Sequence, residues 1–182
     1  YIYRGNRVNN WCPRCLTSLS DLEVEHEEAK GHLYLIKYPF NDGRGAITVA
    51  TVRPESIFGD VAIAVHPNDE RDKPFHGKNV RLPLTDRFLP VIQDDYVDRQ
   101  FGTGALKVTP AHDANDWEIG QRHKLPMPVV IDSEGKMLAN EYVPYQFHGK
   151  DRFEARKLAV EELQAQGFLE EVRDYTHGVR HC

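Results

Sequence analysis

The side chains best suited to chemistry lie close together at residues 101–116, which read FGTGALKVTPAHDAND. Alternate side chains of a strand share a face, so Lys107 and Thr109 are aimed together. Asp113 and Asp116 are three positions apart at the start of a predicted helix and therefore share a helix face. A carboxylate held near a lysine and a threonine can bind a small ligand that offers both an ammonium and a hydroxyl group. The segment predicts a polar pocket for such a ligand.

Simpler roles compete with this interpretation. Asp113 stands where a helix N-cap belongs, and a carboxylate there also complements the helix dipole. His112 is the one histidine of the segment, and a histidine in such a place is more often a structural hydrogen-bonding group than a base. Gly102 and Gly104 are not followed by the Lys-Ser/Thr of a phosphate-binding loop, so a tight turn explains them better. Asp116 is the residue that these simpler roles explain least.

A second group of polar side chains lies where a predicted strand ends. Thr51 and Arg53 share a strand face. The chain must leave the strand at Pro54, and this proline also disfavours helix at position 53. An arginine at a strand end, beside hydroxyl groups, suits a phosphate or a ribose. The alternative is an ordinary ion pair with Glu55 or Asp60.

The elements that would position these groups are mostly short strands. Runs rich in Val, Ile and Leu and bounded by Gly, Pro, Asn or Asp predict strands at 32–37, 46–51, 61–65, 80–84, 89–92, 105–109 and 129–131. Capping and turn residues predict one helical turn within 53–60 and helices over 113–123 and 151–166. Many short strands with three outer helices indicate a barrel or a strongly bent sheet rather than a doubly wound parallel sheet.

The composition is typical of one ordinary soluble domain. The 182 residues carry 23 Lys+Arg and 28 Asp+Glu, a formal net charge of −5. The charges are spread evenly, without the basic stripe that dedicated nucleic-acid binders show. No apolar run approaches the roughly 20 residues that span a bilayer, and the first residues do not resemble a signal peptide. We therefore expect a cytoplasmic domain with no membrane partner.

The cysteines suggest a different hypothesis. Cys12, Cys15 and Cys182 are an odd number, which makes a poor disulfide set. Cys12-Pro-Arg-Cys15 has the spacing of one arm of a zinc knuckle, and the chain stops where a second arm could begin. One alternative is a non-catalytic RNA-binding module in which the three cysteines bind zinc with His177 or His181. The interrupted second arm and the missing initial methionine indicate a piece cut from a larger protein.

The two polar groups together resemble those of a known family. The hexapeptide TVRPES at 51–56 and the stretch GTGALKVTPAHDANDWEIG at 102–120 are similar to the editing domain, or connective polypeptide 1, of class I aminoacyl-tRNA synthetases for branched aliphatic amino acids. The resemblance covers essentially the whole chain and is strongest with the valyl enzymes. Leucyl enzymes lack the lysine that matches Lys107, and isoleucyl enzymes usually have glycine in place of Asp113. An editing domain of either kind is the second alternative.

The resemblance implies a single domain with a β-barrel-centred mixed α/β fold, mainly β, and a few peripheral helices. It implies an editing core at 31–169 between linker or knuckle-like flanks at 1–30 and 170–182. It also implies that the cysteines belong to a knuckle completed outside the chain, so that we expect neither a bound metal nor a cofactor. The expected partners are the 3′ end of tRNA(Val) carrying threonine and the remainder of a parent synthetase, and the chain by itself is expected to be monomeric.

The activity that the resemblance implies is hydrolysis of mischarged threonyl-tRNA(Val), with threonyl-adenylate as a further candidate substrate. Threonine and valine are nearly isosteric, and an apolar synthetic pocket separates them only about 10²-fold, a limit for which valyl synthetases are themselves the standard example. A second site must therefore recognise the hydroxyl group. For valine such a site leaves buried polar groups unpaired, at roughly 1–3 kcal/mol each.

The resemblance assigns the acyl end of the substrate to four residues, which form the implied catalytic set. Asp116 would bind the α-ammonium, Lys107 and Thr109 would line the hydroxyl side, and Asp113 would support that network. Hydrolysis of an activated ester needs a positioned water and charge stabilisation rather than a covalent nucleophile. The group that activates the water stays open between a ribose hydroxyl of the substrate, Asp113 and Lys107.

The resemblance assigns the nucleoside end of the substrate to three further residues. Arg53 would contact the ribose or phosphate of the terminal adenosine. Phe101 would stack on its base, an interaction worth about 1–3 kcal/mol per base in single-strand binders. Thr51 would complete the floor of the pocket.

Overall fold

The structure, a computed structural model, describes residues 7–181 and consists mainly of short strands. In this part of the chain the strands are β1 (Asn10–Cys12), β2 (Thr17–Leu19), β3 (Glu25–Pro39), β4 (Ala46–Thr51), β5 (Ala62–Val65), β6 (Asn79–Arg81), β7 (Phe88–Gln93), β8 (Ala105–Val108) and β9 (Leu169–His181). The α-helices are α1 (Ala114–His123) and α2 (Arg152–Ala165), and short 3-10 helices lie at Asp21–Glu23, Pro54–Gly59, Lys73–Phe75 and Tyr145–Phe147. None of these helices is long and apolar enough to cross a membrane. The predicted mainly-β fold with a few peripheral helices is confirmed.

Six of the seven predicted strands overlap observed ones, and β4 has the predicted bounds. The exception is 129–131, which forms only an isolated bridge between Ile131 and Met137. The predicted turn within 53–60 is a 3-10 helix that proline opens, and the two longer predicted helices are α1 and α2. Short runs rich in Val, Ile and Leu therefore predicted most of the strands of the two larger sheets.

The strands form three sheets, in the orders β1-β2, β4-β3-β9 and β6-β7-β5-β8. The two larger sheets meet at two places. Just after β3, Phe40 bridges to Val80 of β6. Just before β8, the hydroxyl of Thr103 donates a hydrogen bond of 2.6 Å to the carbonyl of Thr48 in β4. The two sheets therefore enclose a shared interior.

That interior is apolar, and α2 covers part of it. Fully buried residues from both large sheets, such as Ile36, Val49 and Ile63, form one cluster. Helix α2 presents Ala155, Ala159 and Leu163 to this cluster at intervals of four residues, the spacing of one helix face. Burying side chains of this kind stabilises the fold by about 1.5–3 kcal/mol for each large aliphatic residue.

Strands β3 and β9 extend beyond the rest of their sheet as a long antiparallel ribbon. Their pairing runs from Glu25 opposite His181 to Ile36 opposite Leu169. Residues 25–30 of the first predicted flank and nearly all of the second are thus regular strand that continues into the β4-β3-β9 sheet, and the division into core and flanks stays a prediction.

The predicted knuckle arm lies in the β1-β2 hairpin. The backbone N–H of Cys15 lies 3.4 Å from the sulfur of Cys12. Cys182 lies outside the described residues. Within residues 7–181, no group of three or more His, Cys, Asp or Glu side chains is arranged to hold a metal ion.

An ion pair fixes the 3-10 helix Pro54–Gly59 to α2. Glu55 is 1% exposed, and its two carboxylate oxygens accept hydrogen bonds from Arg156 Nε at 2.8 Å and Nη2 at 2.7 Å. We expect Glu55→Ala to lower the free energy of unfolding by about 3 kcal/mol, because it leaves a largely buried guanidinium without its partner. Urea denaturation measures this loss.

The matched control is Glu161→Ala, which removes an exposed carboxylate of the same helix and should change the stability by less than about 0.5 kcal/mol. Equal losses in the two variants would show that the Glu55–Arg156 pair does not hold the turn to α2.

Candidate active site

Helix α1 begins where the sequence predicts, and its N-cap is Asp113. The backbone of Asp113 is extended, and its Oδ1 accepts hydrogen bonds from the N–H groups of Asn115 at 2.9 Å and Asp116 at 3.2 Å. The capping role considered for Asp113 is therefore real. The cap uses Oδ1 of the carboxylate, and Oδ2 points to a different residue.

That residue is Arg53. Its Nη2 lies 3.2 Å from Asp113 Oδ2, and its Nη1 donates to the carbonyl of His112 at 3.2 Å. The ion pair considered for Arg53 thus exists with a different partner, because Glu55 is bound by Arg156 and Asp60 is buried elsewhere. The strand end at Arg53 and the start of α1 are tied together at this point.

Lys107 is buried, with 7% of its surface exposed, and it is held by three oxygen atoms. Its Nζ lies 2.9 Å from Asp60 Oδ1, 2.5 Å from Thr109 Oγ1 and 3.1 Å from Ser56 Oγ. The predicted pairing of Lys107 and Thr109 on one strand face is confirmed. That face points into a polar pocket rather than into solvent.

Asp60 is the anion of this cluster, and its surface is fully buried. It accepts hydrogen bonds from the hydroxyl of Thr109 at 2.6 Å and from the hydroxyl of Tyr38 at 2.7 Å, in addition to the contact with Lys107. Burial, together with the charge of Asp60, holds the pKa of Tyr38 well above its usual range, so this phenol stays protonated and donates. Asp60 and Tyr38 belong to the site although the sequence did not identify them as such.

Asp116 approaches the same cluster from α1. It is 7% exposed, and its Oδ2 accepts a hydrogen bond of 2.8 Å from the backbone N–H of Thr109. Burial raises the pKa of Asp116 to about 6, and the positive charge of Lys107 opposes this rise only in part. The site thus holds a cationic and an anionic group, both fixed by Thr109.

His112 has the structural role that the sequence favours. Its Nε2 accepts a hydrogen bond of 3.0 Å from the N–H of Val130. Burial, with the nearby charges of Arg53 and Lys107, lowers the pKa of His112 to about 4. The imidazole is therefore neutral at pH 7 and joins α1 to the segment around Val130.

Some of these groups line a cavity of about 310 Å³. Six of the seven residues that the sequence assigned to the site line it: Thr51, Arg53, Phe101, Lys107, Asp113 and Asp116. Thr109 is 1% exposed and lies behind Lys107, where its hydroxyl is occupied by Lys107 and Asp60. In this structure Thr109 positions Lys107 and Asp116, and its direct contact with a ligand stays a prediction.

Another wall of the cavity comes from the β3-β9 ribbon, through Leu33, Tyr175, His177 and Gly178. Sequence reasoning placed Leu33 in the core but assigned the three β9 residues to a flank, and it considered His177 only as a zinc ligand. The alternation of Tyr175 and His177 on one strand face was the available signal. A cavity with an ammonium, a carboxylate and aromatic rings can bind an aminoacylated nucleoside.

Comparisons with known proteins agree with this geometry. Residues 67–165 match the family described as "Leucyl-tRNA synthetase, editing domain". The chain is 56% identical over 181 residues to the valine–tRNA ligase of Desulfotalea psychrophila, covering 100% of the chain and 20% of that protein. It is 55% identical over 181 residues to the valine–tRNA ligase of Thermotoga maritima, covering 100% of the chain and 21% of that protein. The chain spans about a fifth of the length of these relatives.

A solved structure supports the fold alone. The crystal structure of the ternary complex of Agrobacterium radiobacter K84 agnB2 LeuRS with tRNA and LeuAMS matches with a TM-score of 0.59 and 20% sequence identity. The match covers 84% of the chain and 20% of that protein.

The fold and the site define the editing domain of a class I aminoacyl-tRNA synthetase, and the chain belongs to this editing-domain family. Within the family, the prediction of an editing domain of the valine–tRNA ligase kind is confirmed by relatives that match over the whole chain. The zinc-dependent RNA-binding module and the leucyl or isoleucyl alternatives are not favoured.

The buried carboxylate of Asp116 makes stability depend on pH in a defined direction. Its pKa is about 6 in the folded chain and about 3.9 when unfolded, so the unfolded state loses the proton first as the pH rises. The full effect of this group is about 3 kcal/mol at about 1.4 kcal/mol per pKa unit, and about 2.4 kcal/mol of it is lost from the free energy of unfolding between about pH 4 and pH 7.5.

Asp116→Asn keeps the shape of the side chain but does not titrate. We expect the difference in unfolding free energy between the unmodified chain and this variant to fall by about 2.4 kcal/mol from pH 4 to pH 7.5. Urea denaturation at steps of one pH unit measures it. Parallel pH dependences of the two proteins would show that Asp116 is not perturbed in the fold.

Proposed function

We propose that the chain hydrolyses the ester bond of threonyl-tRNA(Val), as the editing domain of a valine–tRNA ligase. The observation that carries the proposal is that Lys107 and Asp116 line one cavity of a chain that matches the editing-domain family. The proposed partners are the 3′ end of tRNA(Val) and the remainder of the ligase. Threonyl-adenylate, which has the same acyl group on the same nucleoside, is a second candidate substrate.

The acyl end of the substrate fits the charged part of the cavity. Asp116, when ionised, offers a carboxylate to the α-ammonium of the threonyl group. The three N–H groups of Lys107 already donate to Ser56, Asp60 and Thr109, so Lys107 donates to the threonyl hydroxyl by exchanging its longest contact, the one of 3.1 Å to Ser56. Both Lys107 and Asp116 are buried and held by hydrogen bonds before a ligand arrives, so binding requires only this one exchange. Valine has a methyl group where threonine has the hydroxyl, so it cannot accept a hydrogen bond from the buried ammonium of Lys107.

The nucleoside end of the substrate fits the part of the cavity that carries an aromatic ring and a guanidinium. Phe101 lies at the cavity with 53% of its surface exposed, which leaves its ring available for a base. Arg53 is tied to Asp113 and to the carbonyl of His112, so its guanidinium has a fixed place near the ribose. Thr51 lies in the cavity wall beside them.

The chemical step needs a positioned water more than a nucleophile of the protein. An aminoacyl ester is already activated, and hydrolysis proceeds through an oxyanion that a fixed cation stabilises. Lys107 can supply that charge. Asp113 uses both of its oxygens, one as the N-cap and one with Arg53, so it orients Arg53 rather than serving as a free base. The ribose hydroxyl beside the ester is the remaining candidate for activating the water.

The decisive test compares two substrates. The chain replaces the corresponding segment of a valine–tRNA ligase, and the release of amino acid from preformed threonyl-tRNA(Val) and valyl-tRNA(Val) is measured. The proposal expects rapid loss of threonine and slow loss of valine, with normal valylation showing that the rest of the ligase is intact. Equal rates for the two esters, with valylation retained, would refute the proposal.

The charge of Asp116 is expected to control binding of the acyl group. In the same ligase, Asp116→Asn removes the carboxylate that pairs with the α-ammonium, and kcat/KM for threonyl-tRNA(Val) should fall by about 100-fold or more. With Asp116 intact, kcat/KM should also fall as the pH drops below about 6, the pKa of this group. Activity that persists in the variant, with the same acid limb, would remove Asp116 from the site.

Lys107 is expected to control the choice between threonine and valine. Lys107→Met loses the donor to the hydroxyl and should reduce the preference for threonyl-tRNA(Val) by about 10-fold or more, the value of a hydrogen bond from a charged group. Because the single change strands the buried Asp60, Lys107→Met/Asp60→Asn removes both charges and serves as the folded comparison. An unchanged preference in a variant that still valylates would mean that the hydroxyl is recognised elsewhere.

A further inference from the structure

One wall of the cavity is a row of three aromatic rings. The centroids of the Phe101 and Tyr175 rings are 6.4 Å apart at an interplanar angle of 73°. The centroids of the Tyr175 and His177 rings are 6.2 Å apart, and these planes are nearly parallel at 12°. All three residues line the cavity that holds Lys107 and Asp116.

The fold presents this row without using it for packing. Tyr175 and His177 are two positions apart on β9 and therefore point to the same side of the ribbon. None of the three rings belongs to the apolar clusters that form the core of the described chain. The row is therefore not accounted for by the stability of the interior.

A glycine makes room for the last ring of the row. Gly31 of β3 pairs with Tyr175 in the ribbon, and a Cβ atom at this position would lie 2.7 Å from Cε1 of His177. The imidazole thus lies diagonally across the backbone of β3, which only glycine allows at this distance. Its Nδ1 is buried on the side of β3 and has no hydrogen-bond partner in the described part of the chain, so no hydrogen bond of this nitrogen explains the place of the ring.

We propose that Phe101, Tyr175 and His177 stack successive bases of a single-stranded RNA 3′ end, so that the ribbon binds the two nucleotides before the terminal one. This rests on the proposed function, which places the terminal adenosine against Phe101. Rows of aromatic side chains are the usual platform for consecutive unpaired bases. Phe101, Tyr175 and His177 then take the last, second-last and third-last bases in that order.

A wall that stacks several bases differs from a site that binds only a mononucleotide. A pocket for threonyl-adenylate alone needs one stacking ring, and Tyr175 and His177 would then add nothing. A strand of RNA that leaves the cavity along β9 gains from each further ring. The difference is measurable with unacylated ligands, without any hydrolysis.

The experiment titrates the chain with adenosine 5′-monophosphate, the dinucleotide CpA and the trinucleotide CpCpA, followed by nuclear magnetic resonance. Each added nucleotide should tighten binding by about fivefold or more, which corresponds to the lower end of base–aromatic stacking. Tyr175→Ala should abolish the gain of CpA over the mononucleotide, whereas Tyr175→Phe should retain it. His177→Ala should abolish only the further gain of CpCpA.

Thr176→Ala is the matched control, because position 176 lies on the opposite side of the same strand, and it should leave all three affinities within twofold of the unmodified chain. Equal affinities of the unmodified chain for the three ligands would overturn the proposal, as would equal effects of Tyr175→Ala and Thr176→Ala. Failure of threonyl-tRNA(Val) hydrolysis, with the gain in affinity retained, would reject the proposed function and leave the stacking wall standing.

Discussion

The buried carboxylate of Asp60 is the constraint around which the rest of the structure is arranged. A carboxylate removed from water needs nearly complete pairing, since an unpaired buried charge costs several kcal/mol. Asp60 meets this requirement with Tyr38 from β3, Lys107 from β8 and Thr109 just after β8. Its partners come from both large sheets, so satisfying one charge fixes how the two sheets face each other.

The geometry of the site follows from that arrangement. Lys107 is held by Asp60, while Asp116 is held by the backbone N–H of Thr109, whose hydroxyl also contacts Lys107. One residue thus sets the separation of the cation and the anion in the cavity. The N-cap of α1 adds a second restraint, because Asp113 starts the helix and also holds Arg53. These groups are preorganised by the fold and need not be collected by the ligand.

Local patterns predicted the parts of the site that are local. The alternation around Lys107 and the cap at Asp113 depend on neighbours in sequence, and both are found in the structure. Asp60 was recognised only as a possible partner of Arg53, because its real role depends on β5 pairing beside β8, where Ile63 lies opposite Lys107. No single-sequence pattern encodes such a contact between distant strands.

Most of the ribbon, apart from the predicted strand at 32–37, escaped prediction for a different physical reason. Its strands are largely exposed and rich in charge at residues 25–30 and 170–174, so they lack the apolar alternation that marks a half-buried strand. Their pairing is held by backbone hydrogen bonds between segments more than a hundred residues apart. The aromatic side chains on the ribbon become part of a cavity only through that long-range pairing.

The charges of the cavity bear on how an acidic chain would bind RNA under the proposed function. The chain carries a net charge of −5, and both cations that line the cavity are already paired, Arg53 with Asp113 and Lys107 with Asp60. Little charge is left to neutralise phosphates, and each neutralised phosphate would otherwise add about 0.7 to the salt dependence of single-strand binding. Under the proposed function, affinity therefore comes from the acyl group and from stacked bases, and the salt-dependent hold on tRNA must come from the rest of the ligase. An editing pocket gains from this division, because a domain that grips every tRNA end equally would hold cognate valyl-tRNA as firmly as the mischarged product.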